Sequence, residues 1–276
     1  MVEPSPRPRR RRRFWLVGLL LLLATAGGMT LAGGPIAWPF DVCLNLGGVV
    51  EHPTLRASGP GPRVVVLQHG LFRTRASVGR LARALAAHGY EVLDPGYPST
   101  LDFVAGHAER LRTAIAVRQA QGPVAAWAFV GHSLGGLVIQ EYLRQPGAVE
   151  PWACVYVATP HRGAVLCDLR KHWFLFRWLM GSKAAMELSP AAELHQRPIP
   201  WPARSGTVVG DLGAGNAAIP GDDDGTVGVA EATFAGCAAS VRLPHGHTGV
   251  AAAPEALRQV LHFLRQGAFA EPRGKQ

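Results

Sequence analysis

The chain of 276 residues is 48% apolar and 17% charged, with 33 Gly, 22 Pro and four Cys. That is enough for one large domain with a sizeable core, and the composition is neither collagenous nor that of a disordered chain. The net charge of +9 would suit a nucleic-acid partner, but residues 1–13 alone carry +5 of it, so the rest is nearly balanced and excludes a basic nucleic-acid-binding body.

After the Arg-rich start (MVEPSPRPRRRRR), residues 14–40 carry no charge. Such a start reads either as a signal peptide cleaved near Ala24-Thr25-Ala26 or as an uncleaved anchor. Residues 14–34 supply the roughly 20 apolar positions that a spanning helix needs. They run well past the first small-residue site, which favours the anchor. The Arg cluster would stay cytoplasmic, leaving the body extracytoplasmic and making the membrane a partner through this segment. The expected organisation is residues 1–40 as signal or anchor, 41–62 as linker, 63–270 as the domain and 271–276 as a tail. Cys43, Cys154, Cys167 and Cys237 fit such a compartment, and their pairing is left open. No Cys/His spacing suggests a metal site.

In the body, residues 63–67 form a continuous apolar run typical of a strand covered on both faces. Residues 77–88 follow as a helix with Val78, Leu81, Ala82 and Leu85 inward and Gly89 as its stop. The next elements are a strand over 90–93, a helix over 101–121 with Phe103, Val104, Leu111 and Ile115 inward, and a strand over 124–130. A helix over 134–145 ends at Pro146-Gly147, and strands over 152–158, 206–209 and 240–243 precede a closing helix over 254–266. Strands alternating with helices predict an α/β fold, with a mainly parallel sheet, helices on both faces, and ligands at the carboxyl ends of the strands.

Four segments fall at those ends. Gly131-His132-Ser133-Leu134-Gly135, with Gly136 next, sits where a strand passes into a helix. Small neighbours on both sides suit a strained turn that lifts the Ser133 hydroxyl above the sheet. A serine hydroxyl needs a base, and the base needs an orienting acid. Residues 221–227 (GDDDGTV) offer Asp224, with Asp222 and Asp223 as rivals. Residues 243–249 (LPHGHTG) offer His247 as the base, with His245 as its competitor. In Gln68-His69-Gly70-Leu71, the glycine permits close backbone approach. The Leu71 N–H and the Leu134 N–H then become candidate donors to an oxyanion. His69 reads as a supporting loop residue, and His132 points away from the chemistry.

These segments, from about residue 63 to 269, resemble the α/β-hydrolase superfamily and more closely its bacterial esterase/lipase branch. His69-Gly70-Leu71-Phe72-Arg73-Thr74 looks like that branch's oxyanion loop, Gly131 to Gly136 like its nucleophile elbow, and Asp224-Gly225-Thr226-Val227 like its acid loop. Thr159-Pro160-His161-Arg162-Gly163 resembles its TP-x-x-G turn, and Pro244-His245-Gly246-His247-Thr248 aligns its histidine with His247. The resemblance implies an α/β-hydrolase fold. It also implies cleavage of a small-molecule or lipid carboxylic ester through an acyl-enzyme, with no cofactor and no metal. Asp223 stands where the branch more often has Asn. A thioesterase or acyltransferase with the same three groups is the alternative reading, and a catalytically inactive membrane-anchored binding protein is a third. Residues 164–203 read as a small cap insertion, with Trp173-Phe174-Leu175-Phe176-Arg177-Trp178-Leu179-Met180 at its centre. That run serves either as an acyl-chain or membrane contact or as a helix packed on the body.

Overall fold

Val64, Val65, Val66 and Leu67 are all fully buried, as consecutive apolar residues are only where a strand is covered on both faces. In the computed structural model, which describes residues 61–271, they belong to β1 (Arg63–Gln68). A 3₁₀ turn (Arg75–Val78) leads into α1 (Gly79–Ala87), followed by β2 (Glu91–Leu93), α2 (Val104–Ala120), β3 (Ala126–His132), α3 (Leu134–Leu143) and β4 (Pro151–Val157). After a long excursion containing α4 (Val165–Arg170), α5 (Phe174–Met180) and α6 (Ala184–Glu187), the chain returns to β5 (Ser205–Gly210). It ends with β6 (Ala239–Leu243), α7 (His247–Val250) and α8 (Pro254–Gln266). The expected signal or anchor over 1–40, the linker up to residue 60, Cys43 and residues 272–276 lie outside the described residues.

The six strands form one sheet in the order β2-β1-β3-β4-β5-β6, with every pairing parallel. The two-residue period of a strand divides the core. Val65, Leu67, Val130 and Val155 pack with Leu81 and Leu85 of α1 and with Val260 and Phe263 of α8. Val64, Val66, Phe129 and Tyr156 pack on the other face with Leu111 and Ile115 of α2 and with Leu137 and Ile139 of α3. Each such side chain contributes about 2 kcal/mol by leaving water. Phe103 departs from expectation: α2 starts at Val104 instead of residue 101, so Phe103 is its extended N-cap and is 49% exposed, beside Lys183, instead of facing inward. Among the described residues, Cys154, Cys167 and Cys237 form no disulfide with one another, and Cys154 is buried in β4.

The chain leaves β1 toward β2 on one side and then returns to β3 on the other. That reversal opens a crevice at the carboxyl ends of β1 and β3, where neighbouring connections diverge. Gly70 and Ser133 follow directly from those two strands.

Candidate active site

Ser133 joins β3 to α3 with φ 53° and ψ −125°, a backbone region that costs a non-glycine residue about 1–3 kcal/mol. Three glycines make room for it. A Cβ on Gly131 would stand 2.5 Å from the backbone of Gly136, one on Gly135 would overlap the Gln68 carbonyl, and one on Gly136 would overlap the Thr159 hydroxyl. The elbow is thus wedged between the ends of β1 and β4. The Ser133 N–H also donates to the Val157 carbonyl at 2.9 Å.

His247 and Asp224 reach the same place from two other strand ends. The His247 Nδ1–H donates to Asp224 Oδ2 at 2.7 Å, and His247 Nε2 lies 2.9 Å from Ser133 Oγ. Because Nδ1 faces a carboxylate it carries the proton, so Nε2 accepts from the serine hydroxyl. Asp224 Oδ1 accepts the N–H groups of Thr226 at 2.9 Å and Val227 at 2.7 Å, which fixes the carboxylate plane.

The rival residues sit elsewhere. His245 Nε2 pairs with Glu255 at 3.1 Å, and Asp222 lies 3.2 Å from Arg242 on the surface. Asp223 is buried, but its two oxygens accept the N–H groups of Asn216 at 2.9 Å and Gly225 at 2.6 Å, so it holds its own turn together.

The loop after β1 closes on the serine. A Cβ on Gly70 would lie 3.1 Å from Ser133 Cβ. Phe72 is buried with φ 56°, and its N–H donates to Ser99 Oγ at 2.9 Å, which sets the preceding peptide. Among the described residues, the N–H groups of Leu71 and Leu134 donate to no protein acceptor. Leu134 opens α3, where amides lack intrahelical partners and favour negative charge. His69 stacks on Tyr97 at 4.3 Å, donates from Nδ1 to the Gly70 carbonyl at 3.0 Å and accepts the Tyr97 N–H at 3.3 Å. Burial holds its pKa down to about 4, so the ring is a neutral brace.

Three further groups carry no signal in the sequence. His132 Nε2–H donates to the His247 carbonyl at 2.9 Å, and burial above all, with the nearby His247, lowers its pKa to about 3. Arg73 spans two loops, donating to the Phe72 carbonyl at 3.1 Å and to Thr248 Oγ1 at 3.5 Å. Ser99 braces Phe72 from the loop after β2. The contacts of His132 with His247, Arg73 with Thr248 and Ser99 with Phe72 join residues far apart in the chain, which no local pattern records.

The excursion before β5 is fastened on both sides of α5 and open at its centre, the Val165 N–H donating to Glu231 at 2.7 Å on the near side. Glu187 accepts the Val104 N–H at 2.7 Å, the Ala184 N–H donates to the Asp102 carbonyl at 3.0 Å, and Gly181 (φ 82°) packs closely on the Thr100 carbonyl. Helix α5, in contrast, has no buried residue. Among the described residues, no helix is long and apolar enough to cross a membrane, and no group of three His, Cys, Asp or Glu is placed to hold a metal ion.

No protein-family profile and no curated protein sequence matches the chain. Solved structures do. The mature form of a lipase from Bacillus licheniformis superposes with a TM-score of 0.57 at 17% identity, over 79% of this chain and 96% of the lipase. Its propeptide form reaches a TM-score of 0.65 at 17% identity, over 83% of this chain and 56% of the other. The fold is that of the α/β-hydrolases. A metagenomic carboxyl esterase shares it at a TM-score of 0.51 and 20% identity, over 71% of this chain and 68% of the esterase. A type II thioesterase from the borrelidin biosynthetic cluster does so at 0.51 and 16%, over 77% of this chain and 94% of the other. In α/β-hydrolases the nucleophile, acid and histidine follow one another in chain order, which is the order of Ser133, Asp224 and His247 here.

Proposed function

We propose that the chain is a serine hydrolase that cleaves carboxylic esters. The observation that carries this reading is the hydrogen-bonded series Asp224 Oδ2, His247 Nδ1, His247 Nε2, Ser133 Oγ, ending on a strained elbow at the carboxyl edge of the sheet. Ser133 Oγ attacks the ester carbonyl carbon as its proton passes to His247 Nε2. The resulting oxyanion takes the N–H groups of Leu71 and Leu134, each such donor being worth roughly 10²–10³ in rate. Collapse expels the alcohol, which leaves with the proton from His247. Water then repeats the sequence on the acyl-Ser133 ester, releasing the carboxylic acid and restoring the serine. Asp224 holds His247 in the required tautomer and balances the imidazolium.

The test is labelling of the full chain with a fluorophosphonate probe, together with hydrolysis of a short p-nitrophenyl ester. The wild type takes up the label and turns over the ester, and Ser133→Ala does neither. Retained activity in that variant would remove the assignment. The fold shared with a thioesterase supports running the matching thioester beside each ester, since the same groups serve both. The Arg-rich start and uncharged residues 14–34 support a tethered, extracytoplasmic enzyme. Protease accessibility of the body on intact cells tests that placement.

A further inference from the structure

Helix α5 buries none of its seven residues although six of them are apolar. Phe174 is 81% exposed, Trp178 65%, and Trp173 and Leu175 61% each. Single exposed apolar side chains are ordinary, but a run of four large ones within six positions marks a contact surface.

The same surface is cationic. Residues 169–183 contain Arg170, Lys171, Arg177 and Lys183; Lys171 pairs with Asp168 at 2.7 Å and Lys183 lies 3.8 Å from Asp102, so the uncompensated charge is that of the two arginines. Arg170 lies 5.9 Å over the Trp173 ring and Lys183 lies 5.6 Å over Phe103. Arg170 and Arg177 are exposed and form no ion pair among the described residues. The surface is also joined to the candidate active site. Gly181, which caps α5, packs on Thr100, and the adjacent Ser99 holds Phe72 in the loop that abuts Ser133.

We propose that α5 and the preceding Trp173 seat on a bilayer rich in anionic lipid. Trp173, Phe174, Leu175 and Trp178 enter the boundary between headgroups and acyl chains, while Arg170 and Arg177 meet lipid phosphates. Charge selects this occupant. A second copy of the chain across a two-fold axis would set these guanidinium groups against their own kind. Residues 14–34 are apolar but uncharged, so they would cover the aromatic side chains and leave both guanidinium groups without a counter-charge.

The experiment uses the full chain with vesicles of phosphatidylcholine, alone or mixed with phosphatidylglycerol, whose acyl chains are brominated to quench tryptophan. The chain has seven Trp, so a Trp173→Phe/Trp178→Phe variant isolates the two on this surface. The expected result is stronger quenching in wild type than in that variant when phosphatidylglycerol is present, and no difference in phosphatidylcholine alone. Arg170→Gln and Arg177→Gln each raise the lipid needed for half-maximal quenching by about fivefold, and salt weakens it further. Equal quenching of wild type and variant in both vesicles overturns the proposal, as does a wild-type excess over the variant that is equally large in phosphatidylcholine alone. So does finding Trp173 and Trp178 shielded from acrylamide without lipid, the signature of a second copy or of residues 14–34 on this surface.

Discussion

His247 is fastened to Asp224 twice. Its ring Nδ1–H meets the carboxylate at 2.7 Å, and its backbone N–H donates to the Asp224 carbonyl at 2.8 Å. The loops after β5 and β6 are therefore held as one unit, and the ring can turn only a little relative to its acid.

That double attachment separates the neighbouring aspartates. Asp224→Asn keeps the backbone bond but removes the charge and permits the wrong tautomer, so kcat should fall by about 10³–10⁴ with little change in stability. Asp223→Asn disturbs a buried carboxylate that accepts two backbone N–H groups, and should cost about 1–3 kcal/mol of stability. Ester turnover and urea unfolding of both variants check the contrast.

The two histidines of the Pro244 to Thr248 segment should differ as sharply. His247→Ala removes the only ring within reach of Ser133 Oγ among the described residues, and kcat should drop by roughly 10⁴ or more. His245→Ala breaks a half-exposed pair with Glu255, so turnover should stay within about twofold. Steady-state kinetics on one ester decides it.

The crowding at the elbow predicts a coupled pair. Gly136→Ala drives a methyl into Thr159 and should cost about 1–3 kcal/mol. Thr159→Ala removes both side-chain atoms nearest to that methyl, so the double variant should recover part of the loss. A double-mutant cycle by thermal unfolding measures the coupling, and strict additivity would contradict the wedge.

Four buried rings set the acid limit of stability. Burial lowers the pKa of His69 and His107 to about 4 and of His132 and His161 to about 3, against 6.5 for an exposed ring. Below pH 6.5 the unfolded chain therefore binds more protons than the native one. The stability these neutral rings allow is whole above pH 6.5 and is lost as the pH falls toward 4 and then 3. Each ring should cost roughly 1 kcal/mol between pH 7 and pH 5.5. Urea unfolding at the two pH values reads the sum.

Much of this architecture was legible in the sequence because the strands are continuous apolar runs and the helices have one-sided apolar faces. The six expected strands lie within a few residues of those observed, and each candidate segment does fall at a carboxyl strand end. Three adjacent aspartates gave no local reason to choose among them. Their difference is what their oxygens meet, which only the folded loop determines: both Asp223 oxygens take amides, Asp222 meets Arg242, and Asp224 takes two amides on Oδ1 and leaves Oδ2 to His247. Phe103 misled because helical periodicity does not show where a helix begins. His132 looked like a bystander, since its bond to His247 spans 115 positions.

The distance along the chain between Ser133 and His247 has a temporal side. They stand 114 positions apart, with β4, β5 and β6 between them. Under the proposed chemistry, a ribosome or an export channel delivers the serine long before its base. Until β6 pairs with β5, Ser133 is an ordinary alcohol, and the emerging chain cannot attack the lipids or carriers it passes.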